Sequence, residues 1–122
     1  MINRTLGTTG YDVSEIGFGG WGLGADMWRG AEDSEGRDAL REAVDEGVTF
    51  FDTALAYGDG HSERLMGQAL REAIRDGRAV VATKVPPLNN KWPGDANESV
   101  TEVFPARHLS ASTEASLRNL GV

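Results

Sequence analysis

The sequence predicts an α/β fold in which parallel strands alternate with helices. Three observations predict it. Apolar runs rich in β-branched and aromatic residues recur at Ile16-Gly17-Phe18-Gly19-Gly20-Trp21, Val48-Thr49-Phe50-Phe51 and Ala79-Val80-Val81-Ala82-Thr83. Stretches with helical spacing lie between them, so the order strand, helix, strand, helix, strand implies parallel pairing through right-handed crossovers. The third run is nearly all apolar, as suits a strand covered on both faces.

Each element has its local reason. Ile2 to Leu6 and Tyr11 to Ser14 flank Gly7-Thr8-Thr9-Gly10, which predicts a small hairpin ahead of the first run. Asp33 or Ser34 is placed to cap a helix with Ala39, Leu40, Ala43 and Val44 along one face, and Gly47 ends it. Ser62 is placed to cap a second helix, with Leu65, Met66, Ala69, Leu70, Ala73 and Ile74 on one face and Gly77 as its stop. From Pro86 to about Pro105 the sequence predicts a long irregular loop containing Trp92 and Gly94, and loops of that length often act as lids or binding loops. Ala106 to Leu120 places Leu109, Leu117 and Leu120 at helical spacing, with Gly121 beyond.

Composition narrows the function. The formal net charge is -7, from 19 acids against 12 scattered bases, which argues against nucleic acid or an anionic membrane as partner. There is no cysteine, so disulfides, thiolate nucleophiles and sulfur-ligated metals are excluded. No apolar run approaches the ~20 residues of a membrane span, and Met1-Ile2-Asn3-Arg4 leads into no signal-peptide core, so a cytoplasmic protein is expected. His61 and His108 are far apart, with no carboxylate at ligand spacing, and predict no metal site. His61 precedes a helix on the same face as Tyr57 and reads more readily as a turn residue than as a substrate contact. His108 reads as a solvated or capping residue.

The chemistry is concentrated between Gly47 and Lys84. One apolar run ends in Asp52, Tyr57 follows five residues later, and Lys84 ends the next apolar run. A phenol is a weak acid, with an ordinary pKa of about 10. An ammonium beside it stabilises the phenolate, and a carboxylate can hold that ammonium charged and in place. Singly, Tyr57 reads as a loop tyrosine, Asp52 as a turn or cap residue and Lys84 as a surface lysine. Together, at strand ends sharing one face, they read as a proton-transfer set, with the ammonium expected within hydrogen-bond reach of Asp52 or Tyr57. Gly17-Phe18-Gly19-Gly20-Trp21-Gly22 also matches G-x-G-x-x-G. That motif means dinucleotide binding when a helix opens on the last glycine, and Leu23 to Gly30 shows neither cap nor periodicity.

Four segments give the chain a family resemblance. Arg4-Thr5-Leu6-Gly7 with Val13-Ser14-Glu15-Ile16-Gly17-Phe18-Gly19, then Gly47 to Gly58, then His61-Ser62-Glu63-Arg64-Leu65-Met66-Gly67-Gln68-Ala69-Leu70, then Ala82-Thr83-Lys84, together resemble the aldo-keto reductase signature. The resemblance implies the N-terminal part of a (β/α)8 TIM barrel, with about three barrel strands, their helices and a leading hairpin. Such barrels take about 250 residues and this chain has 122, so residues 1–122 are expected to be a partial barrel, cut off on its C-terminal side before the fourth strand and its catalytic histidine.

The resemblance also implies a reaction. It is the NADPH-dependent reduction of an aldehyde or ketone, with Tyr57 donating the proton, Lys84 favouring the phenolate and Asp52 orienting Lys84. Gly20 and Trp21 are assigned to the cofactor and substrate rim, and Asp52 is counted with them; the alternative for Trp21 is a core aromatic. The expected partner is a small carbonyl compound. Open alternatives are a non-catalytic barrel subunit, an inactive truncated product and, further off, a Rossmann dehydrogenase.

Overall fold

A computed structural model describes residues 1–24 and 32–122. The hairpin forms as expected from β1 (Asn3–Thr5) and β2 (Asp12–Ser14), paired antiparallel with Arg4 opposite Val13. Three parallel strands follow in the order β3 (Phe18–Gly19), β4 (Phe50–Asp52) and β5 (Val80–Ala82). Gly19 lies opposite Asp52, and Asp52 opposite Ala82. The register therefore brings the ends of all three strands level at one rim. Among the described residues the sheet is open, with β3 and β5 as its edges.

The helices are α1 (Asp33–Asp45), α2 (His61–Ala69), α3 (Arg71–Arg75), α4 (Val100–Val103) and α5 (Ala106–Leu120). Gly47, Gly77 and Gly121 follow α1, α3 and α5 at positive φ, where glycine avoids the Cβ clash. Leu40 of α1 and Met66 and Leu70 of the α2–α3 segment close over Phe51 of β4, all at most 1% exposed. Val48, Ala73, Ala79 and Leu120 complete this core, and Phe18 stacks on Phe51 with ring centroids 6.0 Å apart. Among the described residues no helix is long and apolar enough to cross a membrane.

Several local expectations are corrected. Neither Asp33 nor Ser34 caps α1: Glu32 stands at the cap position, with no side-chain cap bond. Ser62 does not cap α2, because it lies inside the first turn and its hydroxyl is used elsewhere; Gly60, at φ 77°, makes the entry. The second helix is divided at Leu70, whose φ of -101° and ψ of 5° depart from helical values. The loop after β5 is not wholly irregular, since α4 forms within it. On α5 the buried face is Ser112, Ser116 and Leu120, whereas Leu109 and Leu117 are exposed. The reason is close approach: α5 packs against α2 where Gly67 faces the Leu120 backbone, so small side chains line the contact. His108 is half-buried rather than solvated, with Nε2 2.7 Å from the Pro86 carbonyl oxygen. The end of the G-x-G-x-x-G stretch enters a short 3-10 turn over Trp21–Gly24, not an α-helix opening on the last glycine. The rest of the Leu23 to Gly30 segment, 25–30, lies outside the described residues.

Candidate active site

The site is assembled by three strand ends and the first turn of one helix. β4 is apolar at Phe50 and Phe51 and turns polar at Asp52, where the ladder reaches the rim. β5 ends at Ala82, and the chain runs on through Thr83 to Lys84. The turn between β4 and α2 carries Tyr57, with its amide bonded to the Ala54 carbonyl at 3.0 Å. Gly58 cannot be larger there, because a Cβ would collide with the Gly24 carbonyl, and its φ is +63°.

Asp52, Tyr57 and Lys84 come together. The Lys84 ammonium donates to Asp52 Oδ1 at 2.6 Å and to the Thr53 carbonyl at 2.8 Å. The Tyr57 hydroxyl is 3.5 Å from the same nitrogen, at the outer limit of a hydrogen bond. Lys84 Nζ also lies 5.1 Å from the centre of the Tyr57 ring, within cation–π range. The side chains of Lys84 and Asp52 keep 50% and 40% exposure, so the set opens to a ligand rather than being sealed in the core. Burial pulls the Lys84 ammonium toward lower pKa, but the hydrogen bond and charge of Asp52, with those of Tyr57, outweigh it. Its pKa stands above the ordinary lysine value. Lys84 is thus a fixed positive charge at neutral pH, held by two acceptors, Asp52 Oδ1 and the Thr53 carbonyl, with a phenol beside it.

The other predicted positions separate. Trp21 stands in the short 3-10 turn just past β3 and is 52% exposed, so it is a rim aromatic and not a core one. Gly20 is buried and its backbone is committed. Its amide donates to the Asp52 carbonyl at 2.7 Å, and its carbonyl accepts from Ser62 Oγ at 2.8 Å. A Cβ on Gly20 would run into Met66, so this glycine lets α2 approach the strand ends and delivers Trp21 to the rim. His61 Nε2 is 2.8 Å from Asp33 Oδ1, a pairing between the starts of α1 and α2. Among the described residues no group of three potential metal ligands converges.

Sequence reasoning missed the polar supports. Thr53 and Ser62 are fully buried and share a hydrogen bond of 2.8 Å, and Glu63 is fully buried beside them. A signal was present. Glu63 lies three residues before Met66 and seven before Leu70, which puts a charged residue on the apolar stripe of α2.

Parallel strands with intervening helices, an open sheet and polar residues gathered at the strand C-termini define a part of a (β/α) barrel. The family model described as Aldo/keto reductase family matches residues 15–122, and the chain belongs to that family. An aldo-keto reductase of Bacillus subtilis is 39% identical over 84 residues, 69% of this chain and 25% of that protein. A protein of Arabidopsis thaliana described as a probable voltage-gated potassium channel subunit beta is 32% identical over 123 residues, covering 98% of this chain and 34% of its own length. Among solved structures, an aldo-keto reductase from Klebsiella pneumoniae in complex with NADPH superposes with a TM-score of 0.72 at 31% identity, over 100% of this chain and 37% of that one. The chain therefore spans about a quarter to a third of the length of these curated relatives.

Proposed function

We propose that this chain contributes the proton-donating part of the active site of an oxidoreductase that reduces aldehydes or ketones to alcohols with NADPH. The observation that carries the reading is the Lys84 ammonium, shared between Asp52 at 2.6 Å and the Tyr57 hydroxyl at 3.5 Å. In reduction, the Tyr57 hydroxyl gives its proton to the carbonyl oxygen as negative charge develops there. The Lys84 charge favours the phenolate left behind, and Asp52 with the Thr53 carbonyl keeps that charge in position.

The residues present fit a nicotinamide cofactor at the rim. Trp21 offers an exposed aromatic face at the end of β3, and a Cβ built on Gly19 would meet nothing within 4 Å, so the approach beside Asp52 is open. Trp21 and Asp52 would hold the reactive end, with Gly20 setting the height of Trp21. NADPH, when bound, supplies the hydride that the carbonyl carbon takes up. The Klebsiella relative solved with NADPH supports this choice of cofactor. The partner is a small carbonyl compound, with no nucleic acid or membrane involved, and the place of action is the cytoplasm. Residues 1–122 act as the first βα units of a barrel whose other elements complete the site, and alone they are inactive. The share of the relatives that it matches, about a quarter to a third of their length, supports that part of the reading.

The test joins residues 1–122 to the remaining barrel of the Bacillus subtilis relative. Tyr57→Phe keeps the ring and removes the donated proton, so the carbonyl reduction rate falls of order a hundredfold or more, while NADPH binding by fluorescence titration stays unchanged. Unimpaired turnover in the variant sinks the assignment. The name of the Arabidopsis relative favours a second reading, a non-catalytic barrel that binds a protein partner. A joined barrel that binds NADPH but turns over no aldehyde or ketone would select it.

A further inference from the structure

The first turn of α2 carries two adjacent buried polar side chains, and each ties down different strand ends. Ser62 Oγ donates to the Gly20 carbonyl and accepts from Thr53 Oγ1, both at 2.8 Å, which joins the ends of β3 and β4. Glu63, fully buried, accepts from Thr83 Oγ1 at 2.7 Å through one carboxylate oxygen and from Asn119 Nδ2 at 2.8 Å through the other. Among the described residues none of the ion pairs involves Glu63. A buried carboxylate without a cation is unfavourable unless its oxygens are hydrogen-bonded, and an apolar side chain would suit this helix face better. The carboxylate makes sense through what it holds.

What it holds is the residue before Lys84. Pairing of β5 ends at Ala82, and the backbone bond beyond it, from the Leu55 amide to the Lys84 carbonyl, is long at 3.3 Å. The Thr83 side chain, in contrast, is held by a bond of 2.7 Å to Glu63. Side chains alternate along extended backbone, so fixing the Thr83 side chain fixes the direction in which Lys84 leaves the strand, toward Asp52. Asn119 anchors the other carboxylate oxygen to the last turn of α5, so the clamp spans α2, the end of β5 and α5.

We propose that Glu63 is a positioning residue for Lys84, acting through the Thr83 hydroxyl. Its consequence for catalysis rests on the reductase reading above; the positioning itself is measurable without any reaction. Lys84 and Lys91 are the only two lysines in the chain, so Lys91 serves as an internal reference. Trace acetylation of the free amines is followed by mass spectrometry at several pH values, in the 122-residue chain and in the joined barrel, where the two peptides remain distinguishable.

Thr83→Val and Glu63→Ala loosen the clamp and raise Lys84 labelling relative to Lys91 by about threefold or more, equivalent to about half a pH unit in its titration. Glu63→Gln leaves the ratio near that of the parent, because the amide oxygen accepts from Asn119 and the amide nitrogen donates to the Thr83 hydroxyl. In the joined barrel the first two variants lower kcat at unchanged KM, and Glu63→Gln retains it. A circular dichroism melt accompanies each variant. Where Glu63→Ala fails to fold, Thr83→Val in the joined barrel decides. A folded Thr83→Val with an unchanged labelling ratio overturns the proposal, since a purely structural clamp would lower the melt and leave Lys84 alone. A labelling shift in a barrel with no reductase activity leaves the positioning standing and removes the reductase reading.

Discussion

The α1–α2 side of the sheet and the α5 side are held by different physics. α1 and α2 are anchored by apolar burial: Leu40, Phe51, Met66 and Leu70 are at most 1% exposed and close on one another. α5 adds only Leu120 to that core and is otherwise anchored by close approach and by the hydrogen bond of Asn119. Gly67 admits the Leu120 backbone, Ser112 and Ser116 are buried at the contact, and Asn119 reaches Glu63. The leucines of its other face are left out. The contrast teaches that α1 and α2 bury their apolar residues against β4, whereas α5 has one face packed and leaves Leu109 and Leu117 open.

Predicted effects separate the two regions, all measured as urea melts of the joined barrel. The largest is Phe51→Ala, which removes the centre of the apolar region and costs about 3–5 kcal/mol. A loss below 1 kcal/mol would mean that the core is not organised around β4. Next is Gly67→Ala. Its new Cβ would strike the Leu120 carbonyl, a backbone atom that cannot swing aside, so α5 must shift at a cost of about 1–3 kcal/mol. Because Asn119 moves with α5, this variant also raises Lys84 labelling, whereas a Phe51 variant that stays folded does not. The smallest is Leu117→Ser. At 44% exposure it costs within about 0.5 kcal/mol if that face stays in water. A loss above 1 kcal/mol would show that barrel closure covers α5 and removes the contrast.

The apolar region was legible because burial leaves a periodic mark. Leu40, Met66 and Leu70 lie where the helical spacing puts them, and the strand runs end at Asp52 and Lys84. The α5 side was not, because its packing depends on what faces it. Leu109 and Leu117 satisfy helical spacing as well as Leu120 does, yet Leu120 alone of the three is buried, since only its face meets α2. Ser62 likewise has the character of a cap, and becomes a strut because Gly20 and Thr53 offer it better partners than the helix start.

By itself, the sequence determined the alternation of strands and helices, the helix stops at glycine and the identity of the Asp52, Tyr57 and Lys84 set. These follow from local sterics and from periodicity, which act between near neighbours in the chain. The tertiary structure decided which of the polar residues meet. The parallel register levels Gly19, Asp52 and Ala82 at one rim, and a buried glutamate reaches from α2 to the strand end 20 residues on. Contacts of that kind depend on crossover geometry and helix approach, and no local spacing encodes them.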